Sequence, residues 1–375
     1  MSPELRSLLV FAAAAIAVWF LTPLAIRIAI RSRLLDIPAG YKGHARATPY
    51  LGGAAILAGL LVAAEGLGGS LRGEWPLLGF AVVLWAVGTL DDSRNLPVTL
   101  RVAVEVGIAV ALWALNDGWK IFGSELLNLP LTVVWVVGVV NAFNLMDNMD
   151  GAAATTAGLS ALGAGALSLV AGSGALAPLC FAVAGACIGF LPYNLARPAR
   201  IFMGDGGSLP IGLLVAALTI LVVRSSYGYL GPTGVIVGGL LVGLVILDTS
   251  LVTFSRTRGR RPVFSGGRDH LTHRVVERLG SPRAVAGALA VTQLAVCLVA
   301  IAVARAGVGW VLLAGGTVLI LGAVLIWQFE RVWSSRLTQV SPKHGVGVAT
   351  AVPPEAAEPS RGHSQPEAQP GRALA

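Results

Sequence analysis

The chain has 375 residues, of which 55% are hydrophobic and only 12% charged. Soluble domains carry about 25% charged residues, so this composition excludes an ordinary soluble enzyme and predicts an all-α polytopic membrane protein. The net charge of +8 could suit nucleic acid, but its placement follows membrane topology, and no nucleic-acid partner is expected.

In chain order, eleven spans are predicted, at 7–28, 50–68, 76–91, 99–115, 129–145, 153–171, 176–193, 207–223, 233–252, 285–304 and 309–328. The first resembles a signal peptide but continues through Trp19 and Phe20 into a basic stretch, which fits an uncleaved anchor. Alternating these spans puts 22 of the 27 Lys and Arg residues on one side. That side is expected to be cytoplasmic, with the N-terminus outside and the C-terminus inside. Residues 1–343 read as one integral membrane domain and 344–375, rich in Pro, Ala, Glu, Ser and Gly, as a disordered cytoplasmic tail. Cys180, Cys187 and Cys297 lie in apolar runs, without metal or disulfide spacing, and read as packing residues.

Four polar clusters fall on the cytoplasmic side. The richest is NAFNLMDNMDG, Asn141 to Gly151, which follows a charge-free run from Leu129 to Val140. Ionisable groups next to hydrocarbon cost about 2.5 kcal/mol or more and mark functional sites by default. If the helix continues, Asn141, Asn144, Asp147 (or Asn148) and Gly151 share a face, an oxygen-rich surface suited to a hard cation. A helix cap and turn is the plainer alternative. Asp91-Asp92 ends the third span; adjacent carboxylates repel unless a cation or proton neutralises them. Phe202 to Ser208 reads FMGDGGS, where glycines allow close backbone approach and Asp205 beside a phosphate requires a metal between them. The loop from Phe254 to Pro282 holds Arg268, His270, His273 and Arg274, whose guanidinium and imidazole groups suit a pyrophosphate. For Arg256 to Arg261, lipid headgroup contact is an equal reading. A first basic loop with Lys42, His44 and Arg46 reads as a connector by itself.

Acids alone would suit a cation-coupled transporter, although its paired broken helices and inverted repeats are not visible here. Acids with Arg and His suit a magnesium-bound diphosphate ester.

Five stretches, LDIPAGYKGHARATPYLGG, TLDDSRNLP, NAFNLMDNMDG, FMGDGGS and LDTSLVTFSRTRGRRPVFSGGRDHLTHRV, together resemble the polyprenyl-phosphate N-acetylhexosamine-1-phosphate transferases over Asp36 to Gly280. The last stretch resembles the WecA/TagO-like branch, at Arg268, Asp269, His270, Leu271, His273 and Arg274, more than the histidine triplet of the MraY branch. It departs from the branch at Gly267 and Thr272, and the third stretch departs at Asn148. The resemblance implies transfer of a sugar-1-phosphate, GlcNAc-1-phosphate foremost, from a UDP-sugar to a polyprenyl phosphate, with release of UMP. This would be the first membrane step of a cell-envelope glycan, on the cytoplasmic face of the plasma membrane. An MraY-like transfer of phospho-N-acetylmuramoyl-pentapeptide is the alternative. Also implied are Mg2+ (or Mn2+) on Asn144 and Asp205, chemistry at Asp91, Asp92 and Asp147, and nucleotide contacts from Lys42, Asp150, Phe202 and Gly204. Arg268, His270, His273 and Arg274 would clamp the diphosphate and shape the sugar pocket. A homodimer is compatible with this reading.

Overall fold

In the computed structural model of the chain, residues 1–37, 47–67, 73–226, 231–262 and 267–340 are described, with side chains through Val332. Lys42, His44, Arg46 and the predicted tail lie outside the described residues. Met1–Arg331 forms one compact unit.

The described residues form thirteen helices and one small ribbon. Helix α1 spans Pro3–Arg31, and strands β1 (Leu35–Asp36) and β2 (Thr48–Pro49) pair antiparallel, with Leu35 opposite Pro49. Then come α2 (Gly52–Leu67), α3 (Trp75–Arg94), α4 (Val98–Ala114), α5 (Glu125–Met146), α6 (Ala152–Val170), α7 (Ala177–Asn194) and α8 (Asp205–Ser226). The series ends with α9 (Pro232–Leu241), α10 (Gly243–Arg258), α11 (Leu271–Leu279), α12 (Pro282–Ala306) and α13 (Val308–Val340).

Each predicted span overlaps a helix, the ninth two of them, but fewer than eleven meet the length and composition of a membrane span. Among the described residues, eight helices are long and apolar enough to cross a membrane, with a ninth span if α9 and α10 are joined. At 16 and 17 residues, α2 and α4 fall short of the usual length. Helix α8 is the centre: 94% of its apolar window is buried, against 11% for α13. Small residues permit this packing where no hydrophobic force draws helices together in lipid. On α7, a Cβ at Gly185 would stand 2.2 Å from the Phe11 carbonyl oxygen, and one at Gly189 2.3 Å from that of Ala15, so α1 lies directly on the α7 backbone.

The expected ninth span, 233–252, is not continuous. It breaks at Val242, and α9 and α10 meet at 86°. Glycines at 238, 239 and 243 weaken the helix there. The freed backbone groups find a partner in Gln293 of α12, which is fully buried. Its Nε2 donates to the Leu241 carbonyl at 2.7 Å and its Oε1 accepts from Leu244 N–H at 3.4 Å. Non-helical backbone at membrane depth requires such protein partners.

Candidate active site

The α8 N-terminus gathers the site. Gly204 has φ +70°, and a Cβ there would lie 2.5 Å from Asp92 Oδ2. The next two N–H groups, of Asp205 and Gly206, donate to Asp92 Oδ1 and Oδ2 at 3.0 and 3.1 Å. A carboxylate from α3 thus caps α8, satisfying orphan donors and facing the positive end of its dipole. The preceding segment is pinned on its other edge: Phe202 N–H donates to Pro49 O, Gly52 N–H to Phe202 O and Gly53 N–H to Met203 O, at 2.8 to 3.1 Å. Buried Asn194 bonds Ile201 O through Nδ2, and its Oδ1 accepts from Gly151 N–H at 2.6 Å. Asn194 therefore ties the FMGD segment to the end of the NMDG turn.

Two further side chains, one of them shared with Asp91, converge on the Asp205 carboxylate. Its Oδ1 accepts from Asn144 Nδ2 at 2.7 Å, and its Oδ2 from Arg101 Nη1 at 2.8 Å. The same Nη1 stands 2.5 Å from Asp91 Oδ2, while Asp91 Oδ1 accepts from Leu96 N–H at 2.6 Å. Helix α5 ends at Met146 with Asp147 as its C-cap, and Gly151 (φ +79°) caps the start of α6, so the helical face does not run on to Gly151 and the stretch closes as the cap and turn that was the plainer alternative. Gly204 N–H donates to the Asp147 carboxyl. Burial, followed by the charges of Asp205, Asp92 and Asp150, pushes that carboxyl well above the ordinary range.

A divalent cation fits this donor set. Among the described residues, four buried or half-buried carboxylates crowd a site where one guanidinium is shared between Asp91 and Asp205. Asn144 presents its amide nitrogen here; rotation of the amide offers its oxygen instead. Among the described residues, no three His, Cys, Asp or Glu side chains close a metal cage by themselves.

The basic motif forms a second wall. The His270 Nδ1 lies 3.0 Å from Asp248 Oδ2, and Leu271 N–H donates to Asp248 Oδ1 at 2.6 Å, which anchors the start of α11. Burial, then the neighbouring His270 and Arg268, pushes the His273 imidazole down to about 4, so it is neutral at pH 7. Its Nδ1 is buried without a partner. Arg268 is exposed. Arg274 departs from expectation: it is a buried brace, donating through Nε to Asp269 O and through Nη2 to Ser255 Oγ and Glu330 Oε1. Arg256 forks onto Asp269 at 3.0 Å through Nε and Nη2, which settles it as an internal tie rather than a headgroup contact. Burial raises the Asp269 carboxyl, but Arg256 and then Arg261 more than offset this and hold it below its ordinary range. The two walls meet where the Thr272 hydroxyl donates to Asn148 Oδ1.

Phe202, Asp150 and Gly204 all lie beside this cluster, in the segments just described. Arg101, Asn194, Asp248 and Glu330 were not singled out from sequence. Glu105 was also missed: it is fully buried on α4, is hydrogen-bonded to Asn141 Nδ2 and carries an unpartnered Oε1. An acid within a predicted span was the available signal for Glu105; Arg101 was counted only as a topology charge.

Residues 75–223 match the model of glycosyl transferase family 4. The chain is 31% identical over 288 residues to a probable undecaprenyl-phosphate N-acetylglucosaminyl 1-phosphate transferase of Bacillus subtilis, covering 72% of this chain and 78% of that one. The chain belongs to glycosyl transferase family 4. Its similarity extends to a decaprenyl-phosphate N-acetylglucosaminephosphotransferase of Mycobacterium tuberculosis, 32% identical over 302 residues, with 70% and 74% covered. A Thermotoga maritima undecaprenyl-phosphate alpha-N-acetylglucosaminyl 1-phosphate transferase is 33% identical over 218 residues, with 57% and 66% covered. These relatives agree with the transferase resemblance read from the five motifs. The matched stretch contains Asp91, Asp92, Asn144, Asp147, Asp150 and Asp205, so the carboxylate cluster lies inside the family's region.

Proposed function

We propose that this family 4 member transfers GlcNAc-1-phosphate from UDP-GlcNAc to a polyprenyl phosphate. A phosphate oxygen of the lipid attacks the β-phosphorus, the bond from that phosphorus to the bridging oxygen breaks, and UMP leaves with the oxygen. The observation that carries the reading is the meeting of Asp91, Arg101, Asn144 and Asp205 at the capped start of α8. Bound Mg2+, held by Asp205 with Asn144, would supply charge neutralisation and polarisation of the phosphoryl group.

Asp92 acts by holding the α8 start, and Asp91 with Arg101 positions the lipid phosphate. That phosphate is already ionised at cytoplasmic pH, so placement matters more than proton removal. Asp147 lies on the sugar-phosphate side. Asp150 and Phe202 receive the uracil, the Phe202 ring stacking on the base, with Gly204 allowing close approach and Lys42 a further contact. Arg268 and His270 face the diphosphate, and neutral His273 serves as a hydrogen-bonding wall rather than a charge. The lipid tail leaves between helices, since it is as apolar as the bilayer. The basic-residue asymmetry supports a plasma-membrane location with the cluster facing the cytoplasm.

Purified protein in detergent, with polyprenyl phosphate and Mg2+, tests this by UMP release from UDP-GlcNAc, UDP-GalNAc and UDP-MurNAc-pentapeptide supplied separately. Release from UDP-GlcNAc is expected. Release only from the muramoyl donor would replace the substrate reading, and release from none would end it.

A further inference from the structure

Helix α11 has nine residues, too few to hold itself together or in place. Its position depends on side-chain ties at its ends and flanks. Asp248 anchors its start, at the peptide between His270 and Leu271, and Arg274 braces it against Glu330. Neither tie touches the carboxylate wall.

Asn148 does. Its Nδ2 donates to the Leu145 carbonyl at 2.6 Å, in the last turn of α5, and its Oδ1 accepts from the Thr272 hydroxyl. Thr272 is fully buried, in the first turn of α11. The chain neighbours of this bond are the chemistry-bearing residues. Asp147 precedes Asn148 and Asp150 follows two positions on, while His270 and His273 flank Thr272. A path of hydrogen bonds therefore runs from α10 through Asp248, α11 and Asn148 to the end of α5. Both members of the contact are neutral. The spacing it sets does not collapse or open as charges on either wall are filled by metal or substrate, as an ion pair's would.

We infer that Asn148 and Thr272 form a positioning bridge that fixes the imidazole wall against the carboxylate wall. The inference rests on the transferase reading, in which the sugar diphosphate lies between those walls. Neither residue touches the reacting atoms; each acts through its neighbours. Misplacement of a reacting group by about 1 Å costs roughly a hundredfold in rate, so the effect belongs in kcat.

Four variants in the full chain test this: Asn148→Ala, Thr272→Val, the double variant, and Thr272→Ser. Turnover of UDP-GlcNAc is read as kcat and KM, and hydrogen exchange is read over 268–279. Each single variant is expected to lower kcat by about 10- to 100-fold with the donor KM within threefold, and the double variant to be no worse than the poorer single one. Thr272→Ser, which keeps the hydroxyl, should restore most of the rate. Exchange across α11 should rise in both singles and not in Thr272→Ser. Multiplying losses in the double variant, or Thr272→Val turning over like the wild type, would overturn the bridge. Unchanged exchange in Thr272→Val would do so whatever the turnover. A wild-type protein that releases no UMP would refute the transferase reading, and the exchange comparison would then decide the bridge by itself.

Discussion

Replacing Arg101 with methionine removes a guanidinium whose Nη1 lies 2.5 Å from Asp91 and 2.8 Å from Asp205. The two carboxylates then face each other without a counter-charge. Breaking a buried ion pair costs about 3–5 kcal/mol. The Asp205 side chain keeps 29% of its surface in solvent, and screening brings the expectation to about 2–3 kcal/mol. At about 1.4 °C per kcal/mol for a chain of this size, the unfolding midpoint in metal-free detergent should fall by roughly 3–4 °C. Adding Mg2+ should then help the variant more than the wild type, because the cation no longer competes with a guanidinium. If affinity rises tenfold, saturating Mg2+ returns about 1.4 kcal/mol more. The assay is a thermal melt with EDTA and with MgCl2, paired with UMP release. Turnover should drop at least tenfold even with Mg2+, since Arg101 also places the lipid phosphate. Equal midpoints in EDTA and an equal gain from Mg2+ in both proteins would refute the reasoning.

Asp205→Asn should abolish UMP release while leaving the protein folded and inserted; robust turnover by that variant would remove the metal assignment. Gln293→Leu leaves the Leu241 carbonyl and the Leu244 N–H without partners at the helix break. A buried group left unsatisfied costs about 1–3 kcal/mol, so a lower melting point is expected, and an unchanged one would show that the break supports itself. The His273 imidazole, at about 4 against an ordinary 6.5, stays neutral in the fold while the unfolded chain takes up a proton. Its share of stability is therefore complete above pH 6.5 and is lost as pH falls from there towards 4. Melts of wild type and His273→Gln across that window should diverge, the variant showing the shallower decline; parallel curves would contradict the burial argument.

The helices were legible because a membrane helix announces itself by a long apolar run, a local property of the chain. The carboxylate motifs were legible for a related reason: Asp91, Asp147 and Asp205 stand where apolar runs end, and charge there is costly enough to require a use. Partners separated by many residues were not. Arg101 belongs to Asp91 and Asp205 only because α4 and α8 bring them together, and in the sequence it is one arginine among many. Arg274 illustrates the opposite error. Its motif suggested a phosphate ligand, but packing turned its guanidinium onto Asp269, Ser255 and Glu330, the last 56 positions away.

Asn148 and Thr272 show the same division at one contact. As sequence, they are two separate departures from a family pattern. In the fold, they are the two ends of one hydrogen bond. The break at Val242 is similar: glycines made it permissible, but Gln293 on another helix made it stable in a medium without water. The sequence alone determined that the chain is helical, membrane-embedded and acidic at the ends of particular spans, since hydrophobic period and burial cost are local. Only the tertiary structure decided which cation neutralises which acid, which arginine is a brace and how the two walls are spaced. Those choices depend on hydrogen-bond geometry between helices that are distant in the chain.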